Sequence, residues 1–271
     1  MNDLAQPADS LMEEPQRPDL LQVTALKELL YKMADDLLIL GHRNSEWTGM
    51  GPLLEEDIAF SSMAQDKVGQ SLALYTILHQ LGEQTPDTIA FMRNANQFHN
   101  CVLVELPNQE YDFSLIRHFL FDTADALRWE MLTQSSYEPL ALLAKKIKGE
   151  LRYHTLHANT WIKQLGSATE GSISRLQLSL TAAMPYALGI FEESPYEKEI
   201  ISKAIFAGEG VLLEKWKLKI EEVISQTRLS LPDWKITTPL LGGRIGTHSE
   251  HLQPMLEEMS EVFRMDPTAE W

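Results

Sequence analysis

The sequence predicts an all-α fold, an antiparallel bundle of four long helices with additional C-terminal helices. Three observations predict it. Apolar residues recur at helical spacing along four long stretches. The links between those stretches are short or moderate and carry Gly and Pro. No segment shows the strict alternation of a half-buried strand, and no repeat of fixed length is present. At 271 residues, 44% of them hydrophobic, the chain can fill one sizeable core.

Residues 1–20 hold three prolines and several acids, the composition of a disordered acidic tail; residues 21–271 are expected to form one domain. The first helix is expected over 23–43, with Leu26, Leu29, Leu30, Met33, Leu37 and Leu40 on its apolar face. Asp36 lies on that face beside Asp35, and spacing alone does not decide which of the two points inward. A Gly- and Pro-containing loop at 44–52 carries Glu46 and Trp47, the latter read as a plug for the end of the bundle. The second helix, 53–81, closes on Gly82; its inner stripe is read as Ala59, Met63, Asp66, Gln70, Ala73 and Ile77. Residues 85–108 begin with a Thr-Pro-Asp turn and include a CVLVEL run that periodicity leaves unassigned. The third helix, 113–134, presents Leu115, Phe119, Asp122, Ala126 and Trp129 on one face. The fourth, 140–166, carries Glu150 and His154 one turn apart on the seam Leu140, Leu143, Ile147, Ala158, Trp161 and Leu165, with Pro139 in its first turn. Lys145, Lys146 and Lys148 lie mostly off this seam and read as a solvated face. Further helical patterns occupy 172–189, 195–207, 210–228 and, after a Pro- and Gly-rich loop, 248–264.

A net charge of -16 and a pI near 4.9 argue against nucleic acid and anionic membranes, which are bound through Lys and Arg. No apolar run approaches the roughly 20 residues that span a bilayer, and the N-terminus lacks the basic-then-apolar order of a signal peptide. A cytoplasmic protein is expected. Cys101, the only cysteine, excludes an internal disulfide and a thiolate cluster. No phosphate loop, Ser-x-x-Lys motif or nucleophile elbow is present.

Four acids recur on the four long helices. Ferritin-like bundles hold two metal ions with one carboxylate from each of two helices and a Glu-x-x-His pair from each of the other two. Asp36 and Asp66 are thirty residues apart and Asp122 and Glu150 twenty-eight, so each pair could face across a helical hairpin. The imidazoles are missing from the expected places: Gly69 follows Asp66 at i+3, and Tyr153 follows Glu150 at i+3. His154 at i+4 and His157 at i+7 lie on nearly the same face as Glu150. Three aspartates in place of glutamates also draw the oxygens back from a site with metals about 3.5 to 4 Å apart. Two readings remain open on spacing: a vestigial site at Asp36, Asp66, Asp122, Glu150 and His154, or acids that are ion-paired, for instance to Arg152 or a histidine, or partly solvated.

The run LILGHRNSEWTGMGPLLEEDIAFSSMAQDKVGQ (38–70), the segment ELRYH (150–154) with Trp161 and Leu165-Gly166 beyond it, and the closing GGRIGTHSEHLQPMLEEM (242–259) resemble the C-subunit family of bacterial phenylacetyl-CoA epoxidases. The similarity extends over nearly everything after the tail. It implies a ferritin-like subunit that binds no cofactor and supports catalysis without performing it. The related A subunit would hold the di-iron centre, with a B subunit and a reductase in the assembly and a homodimer possible for the chain alone. Gly69 and Tyr153 agree with loss of the metal. The runner-up is a di-metal oxidase using Asp36, Asp66, Asp122, Glu150 and His154; a third reading is a helical adaptor.

Among the remaining motifs, Thr247 and Glu250 are read as a capping box for the last helix. Arg244 is a candidate contact to a partner or an internal carboxylate, and His248 and His251 are weak ligand candidates. His42, His79, His99 and His118 have no neighbours at ligand spacing and are read as structural or surface residues.

Overall fold

The computed structural model describes residues 20–269. The predicted tail falls outside them up to residue 19, and Leu20 already opens the first helix. Helices α1 (Leu20–Ser45) and α2 (Leu54–Gln80) form one antiparallel hairpin, and α5 (Tyr111–Leu132) and α6 (Glu138–Leu165) form the other. Between the hairpins run two short helices, α3 (Pro86–Phe91) and α4 (Val102–Glu105), the latter formed by the ambiguous CVLVEL run. Four more follow: α7 (Glu170–Leu188), α8 (Glu197–Ser202), α9 (Glu209–Ile224) and α10 (Leu252–Met265). No strand is present among the described residues. The architecture is an all-α, ferritin-like bundle with added helices.

One hydrophobic cluster draws on α1, α2, α5, α6, α7 and α9, with Leu30, Leu74, Phe119, Trp129, Ala144, Leu180 and Trp216 fully buried. Because α5 packs against α6, α7 and α9, it is buried around most of its circumference; Trp216 Nε1 on α9 donates to its Leu120 carbonyl at 2.8 Å. The end of the bundle is closed as predicted, by Trp47 against Phe60 and Tyr111, with ring centroids 6.1 and 5.8 Å away.

Local signals explain most helix ends. Gly82 follows α2 at φ +92°, the left-handed position that glycine takes without cost. Thr169 and Ser172 form a reciprocal capping box at the start of α7. The box predicted at Thr247 and Glu250 does not form. Gly242 (φ +117°) and Gly246 (φ +80°) fold 242–247 into a tight turn, closed by the Thr247 N–H donating to the Gly242 carbonyl at 2.9 Å. His248 is then held at Glu105, and α10 begins only at Leu252. The turn sits hard against the 95–102 segment, where a Cβ on Gly243 would collide with the Asn100 carbonyl oxygen.

Candidate functional site

Asp36, Asp66, Asp122 and Glu150 do not converge on a common point; each has its own partner. Asp36, on α1, is turned towards the closing turn. Its two oxygens accept from Arg244 Nη1 and Nη2, each at 2.8 Å, and Oδ1 accepts from the Cys101 N–H at 2.7 Å. The Arg244 guanidinium also donates to the carbonyls of Lys32, His99 and Ile190. Burial alone would lower its pKa, but the Asp36 carboxylate holds it above the usual arginine value. Arg244 thus makes an internal carboxylate contact, which ties the C-terminal turn to α1. Asp35 is buried as well. It accepts from Arg93, from the Tyr75 hydroxyl at 2.6 Å and from the His99 N–H at 2.8 Å. Burial opposes its charge, yet Arg93 keeps its pKa below the ordinary carboxylate value. Both aspartates therefore point inward, towards different cations.

On α2 the predicted inner stripe is buried at Ala59, Met63, Gln70 and Ile77 but not at Asp66 and Ala73. Met63, Lys67, Gln70 and Leu74 are buried, whereas Asp66 is displaced to the edge, its side chain 31% exposed. Lys67 is fully buried and its ammonium donates to Asp122 Oδ1, with Nζ 5.2 Å from the Phe121 ring centroid. His118, one turn before Asp122 on α5, meets the other carboxylate oxygen through Nδ1. Burial of Asp122 works against its charge, but Lys67 and then His118 hold its pKa far below the normal range. Burial also depresses His118, to about 4, so at neutral pH its Nδ1 donates to Asp122 and its Nε2 is an acceptor.

The polar chain continues from there. His157 Nδ1 lies 3.2 Å from His118 Nε2, and His157 Nε2 lies 3.1 and 3.2 Å from the Glu56 oxygens. Tyr111 donates to Glu56 at 2.6 Å. Burial raises the Glu56 pKa, but hydrogen bonds from His157 and Tyr111 outweigh it and leave the carboxyl below its usual value. The result is a continuous polar file along the bundle, Lys67, Asp122, His118, His157 and Glu56. The other two acids lie beside it: His154 Nε2 is 3.0 Å from Asp66 Oδ2, and Gln70 Nε2 donates to Glu150 Oε2 at 2.9 Å. Arg152 takes part in none of this, facing solvent on another side of α6. Asp125, one turn past Asp122, is buried with Oδ2 unpartnered among the described residues; burial lifts its pKa to about 6 despite Lys67.

The donors present do not fit a di-metal centre. A buried ammonium already balances Asp122, and a second cation beside it would be repelled. The two Glu-x-x-His places hold Gly69 and Tyr153. Among the described residues no three His, Cys, Asp or Glu side chains converge at metal-binding geometry.

Of the predicted positions, then, the structure brings together Asp66 with His154 and Asp36 with Arg244, the latter being the internal carboxylate contact expected of that arginine. His118, read as structural or surface, lies at the centre of the file, and Lys67, His157 and Glu56 were not selected as site residues. Two signals could have found them. His118 and Asp122 are four apart on one helical face, and Lys67 and Leu74 share helical spacing with Met63 and Gln70 of the predicted stripe, in the places given to Asp66 and Ala73. His248 lies with Nδ1 3.0 Å from Glu105 Oε2 and Nε2 3.0 Å from the Phe98 carbonyl, which makes it a strut of the closing turn. Glu250 is exposed.

By fold this is a ferritin-like helical protein, and by site one whose own lysine supplies positive charge to the carboxylate layer. The profile of the phenylacetic acid catabolic protein family matches residues 4–271; the chain belongs to that family, which places it in phenylacetate catabolism. It is 29% identical over 241 residues to the C component of the 1,2-phenylacetyl-CoA epoxidase of Escherichia coli (strain K12), covering 89% of this chain and 96% of that protein.

Proposed function

We propose that this chain is a non-catalytic, cofactor-free subunit of a cytoplasmic phenylacetyl-CoA epoxidase, and that it binds and stabilises the related di-iron A subunit. The observation that carries the reading is the Lys67–Asp122 pair, an ammonium seated against a carboxylate at the heart of the bundle. Reconstitution with excess Fe(II) under argon, followed by desalting, is expected to leave well under one equivalent of iron per chain. About two equivalents, lost in Asp122→Ala, would reverse the reading and make the chain a di-metal oxidase.

The outer faces of α2 and α6 support a helical partner. Gly69 and Gly149 sit inside long helices, and among the described residues nothing lies within 4 Å of a Cβ built on either. Each costs the isolated helix about 1 kcal/mol relative to Ala, and no packing among the described residues compensates. Exposed Ile58 and Leu72 flank the first glycine, and exposed Leu142, Tyr153 and Leu156 flank the second. Close approach of a helix from the A subunit accounts for small residues at the centre of such a face; a B subunit would join the assembly elsewhere. A homodimer through this same face is the state expected of the chain alone. The test is Gly149→Glu, alone and with Gly69→Gln, co-purified with the A subunit. The variants should stabilise the lone chain slightly and abolish co-elution at micromolar concentration; retained co-elution would remove this face from the proposal, and wild-type chain that never co-elutes would remove the partner.

A further inference from the structure

The seven tyrosines of the chain differ in what their hydroxyls face. Among the described residues three donate to a carboxylate: Tyr31 to Glu83 at 2.9 Å, Tyr75 to Asp35 at 2.6 Å and Tyr111 to Glu56 at 2.6 Å. The first two carboxylates are held by cations. Lys27 donates to Glu83 at 2.6 Å, and Arg93 donates to Asp35 at 2.5 and 3.0 Å. The Arg93 guanidinium also lies 5.2 and 5.7 Å from the Tyr31 and Tyr75 ring centroids. A positive charge against a ring opposes removal of an electron from it. Glu56 is different: among the described residues no lysine or arginine pairs with it. Its other contacts are the His157 imidazole, at 3.1 and 3.2 Å, and the Trp161 indole.

The surroundings of the Tyr111 ring are aromatic and apolar. Trp47 and Phe60 stand edge-on to it at 5.8 and 6.1 Å between centroids, and Ala59 and Met63 belong to the same cluster. Trp47 and Tyr111 are both half-buried, so an electron can leave this ring pair for an oxidant at the surface, while the phenolic oxygen faces the buried Glu56. Trp47 Nε1 is buried without an acceptor among the described residues. An oxidised indole there keeps its proton, remains a cation and draws an electron from its neighbour. The phenol has a base in hydrogen-bond contact, so the oxidation settles on Tyr111. Burial and the bond to Glu56 hold the Tyr111 pKa well above the usual phenol value, and the resting ring keeps its proton.

We propose that Tyr111 is a redox-active tyrosine, which gives one electron to a high-potential metal complex or peroxyl radical and is left as a neutral radical. In this step the Tyr111 O–H bond breaks, the electron reduces the oxidant by one, and the proton passes along the hydrogen bond to Glu56. Phenol and carboxylate become phenoxyl radical and carboxylic acid, and reduction returns the proton by the same bond. The products at the site are both neutral, so the step leaves no unpaired charge in the apolar cluster. What supplies the oxidant in the cell rests on the subunit reading, an epoxidase partner that handles oxygen; the property itself belongs to the chain alone.

The test is flash oxidation of the full chain by photogenerated tris(bipyridine)ruthenium(III), read by transient absorption and by electron paramagnetic resonance of samples frozen after the flash. A long-lived neutral tyrosyl radical is expected in the wild type. Tyr111→Phe should remove it, whereas Tyr31→Phe and Tyr196→Phe should leave it in place. Glu56→Gln still offers the hydroxyl an acceptor but no base for its proton, and should lower the radical yield about tenfold. Circular dichroism confirms the fold of each variant. No long-lived radical in the wild type, its persistence in Tyr111→Phe, or an unchanged yield in Glu56→Gln would overturn the proposal. The A subunit is absent from this experiment, so its outcome is separate from those of the iron and co-elution tests.

Discussion

Replacing Lys67 with Met keeps nearly the same side-chain volume and removes only the charge, which isolates the electrostatic role of this residue. Lys67 and Asp122 are both fully buried, so the substitution leaves a carboxylate in the core with His118 as its remaining partner. Breaking a buried pair from one side costs about 3 to 5 kcal/mol, a large part of a typical domain stability of about 5 to 15 kcal/mol. The double variant Lys67→Met/Asp122→Asn removes both charges, and the amide still accepts from His118 Nδ1. It should return to within about 1 to 2 kcal/mol of wild type, giving a coupling of about 2 kcal/mol or more. The assay is urea unfolding at pH 7.5 followed by far-ultraviolet circular dichroism, with an unchanged m-value required. A single variant that loses less than about 1 kcal/mol, or a double variant no more stable than the single, would refute the argument that Lys67 is there to neutralise Asp122.

Asp125→Asn should stabilise the protein at neutral pH. The folded pKa of about 6 lies above the ordinary 3.8, so the folded state binds the extra proton between these values; the cost of the ionised carboxyl is fully present above pH 6 and fades as pH falls towards 4. The shift of about two units corresponds to about 3 kcal/mol at pH 8, and urea unfolding of wild type and variant at pH 8 and pH 5.5 should show the gain shrinking with acidification. His118 acts in the opposite sense: with its pKa depressed to about 4 from 6.5, the unfolded state binds more protons in that window, and stability falls as pH drops from 6.5. His118→Gln should flatten that part of the stability profile. Arg244→Ala leaves Asp36 without its bidentate partner and is expected to lower Tm by roughly 10 °C in a scanning experiment, with Arg244→Lys giving little rescue because an ammonium cannot form the fork.

The sequence by itself determined the helices, because apolar spacing depends on local geometry that each segment carries wherever it is placed. All four long helices fall within a few residues of the positions their patterns predict, and the Trp47 plug follows from a large apolar ring placed in an end loop. The absence of Glu-x-x-His was equally legible, since Gly69 and Tyr153 are simple substitutions at i+3. The tertiary structure alone decided what the buried charges face. Spacing limits which residues share a face but does not select among adjacent registers, so Asp66 was chosen where Lys67 points inward. It also cannot pair residues far apart in the chain: Asp36 with Arg244, Lys67 with Asp122 and His157 with Glu56 are joined only once the hairpins dock. The capping box at Thr247 failed for a related reason, since the Gly242–Gly246 turn and the Glu105–His248 contact hold that backbone away from helical geometry. A buried charge is stable only beside a partner, and the partner is a property of the assembled bundle and not of any one helix.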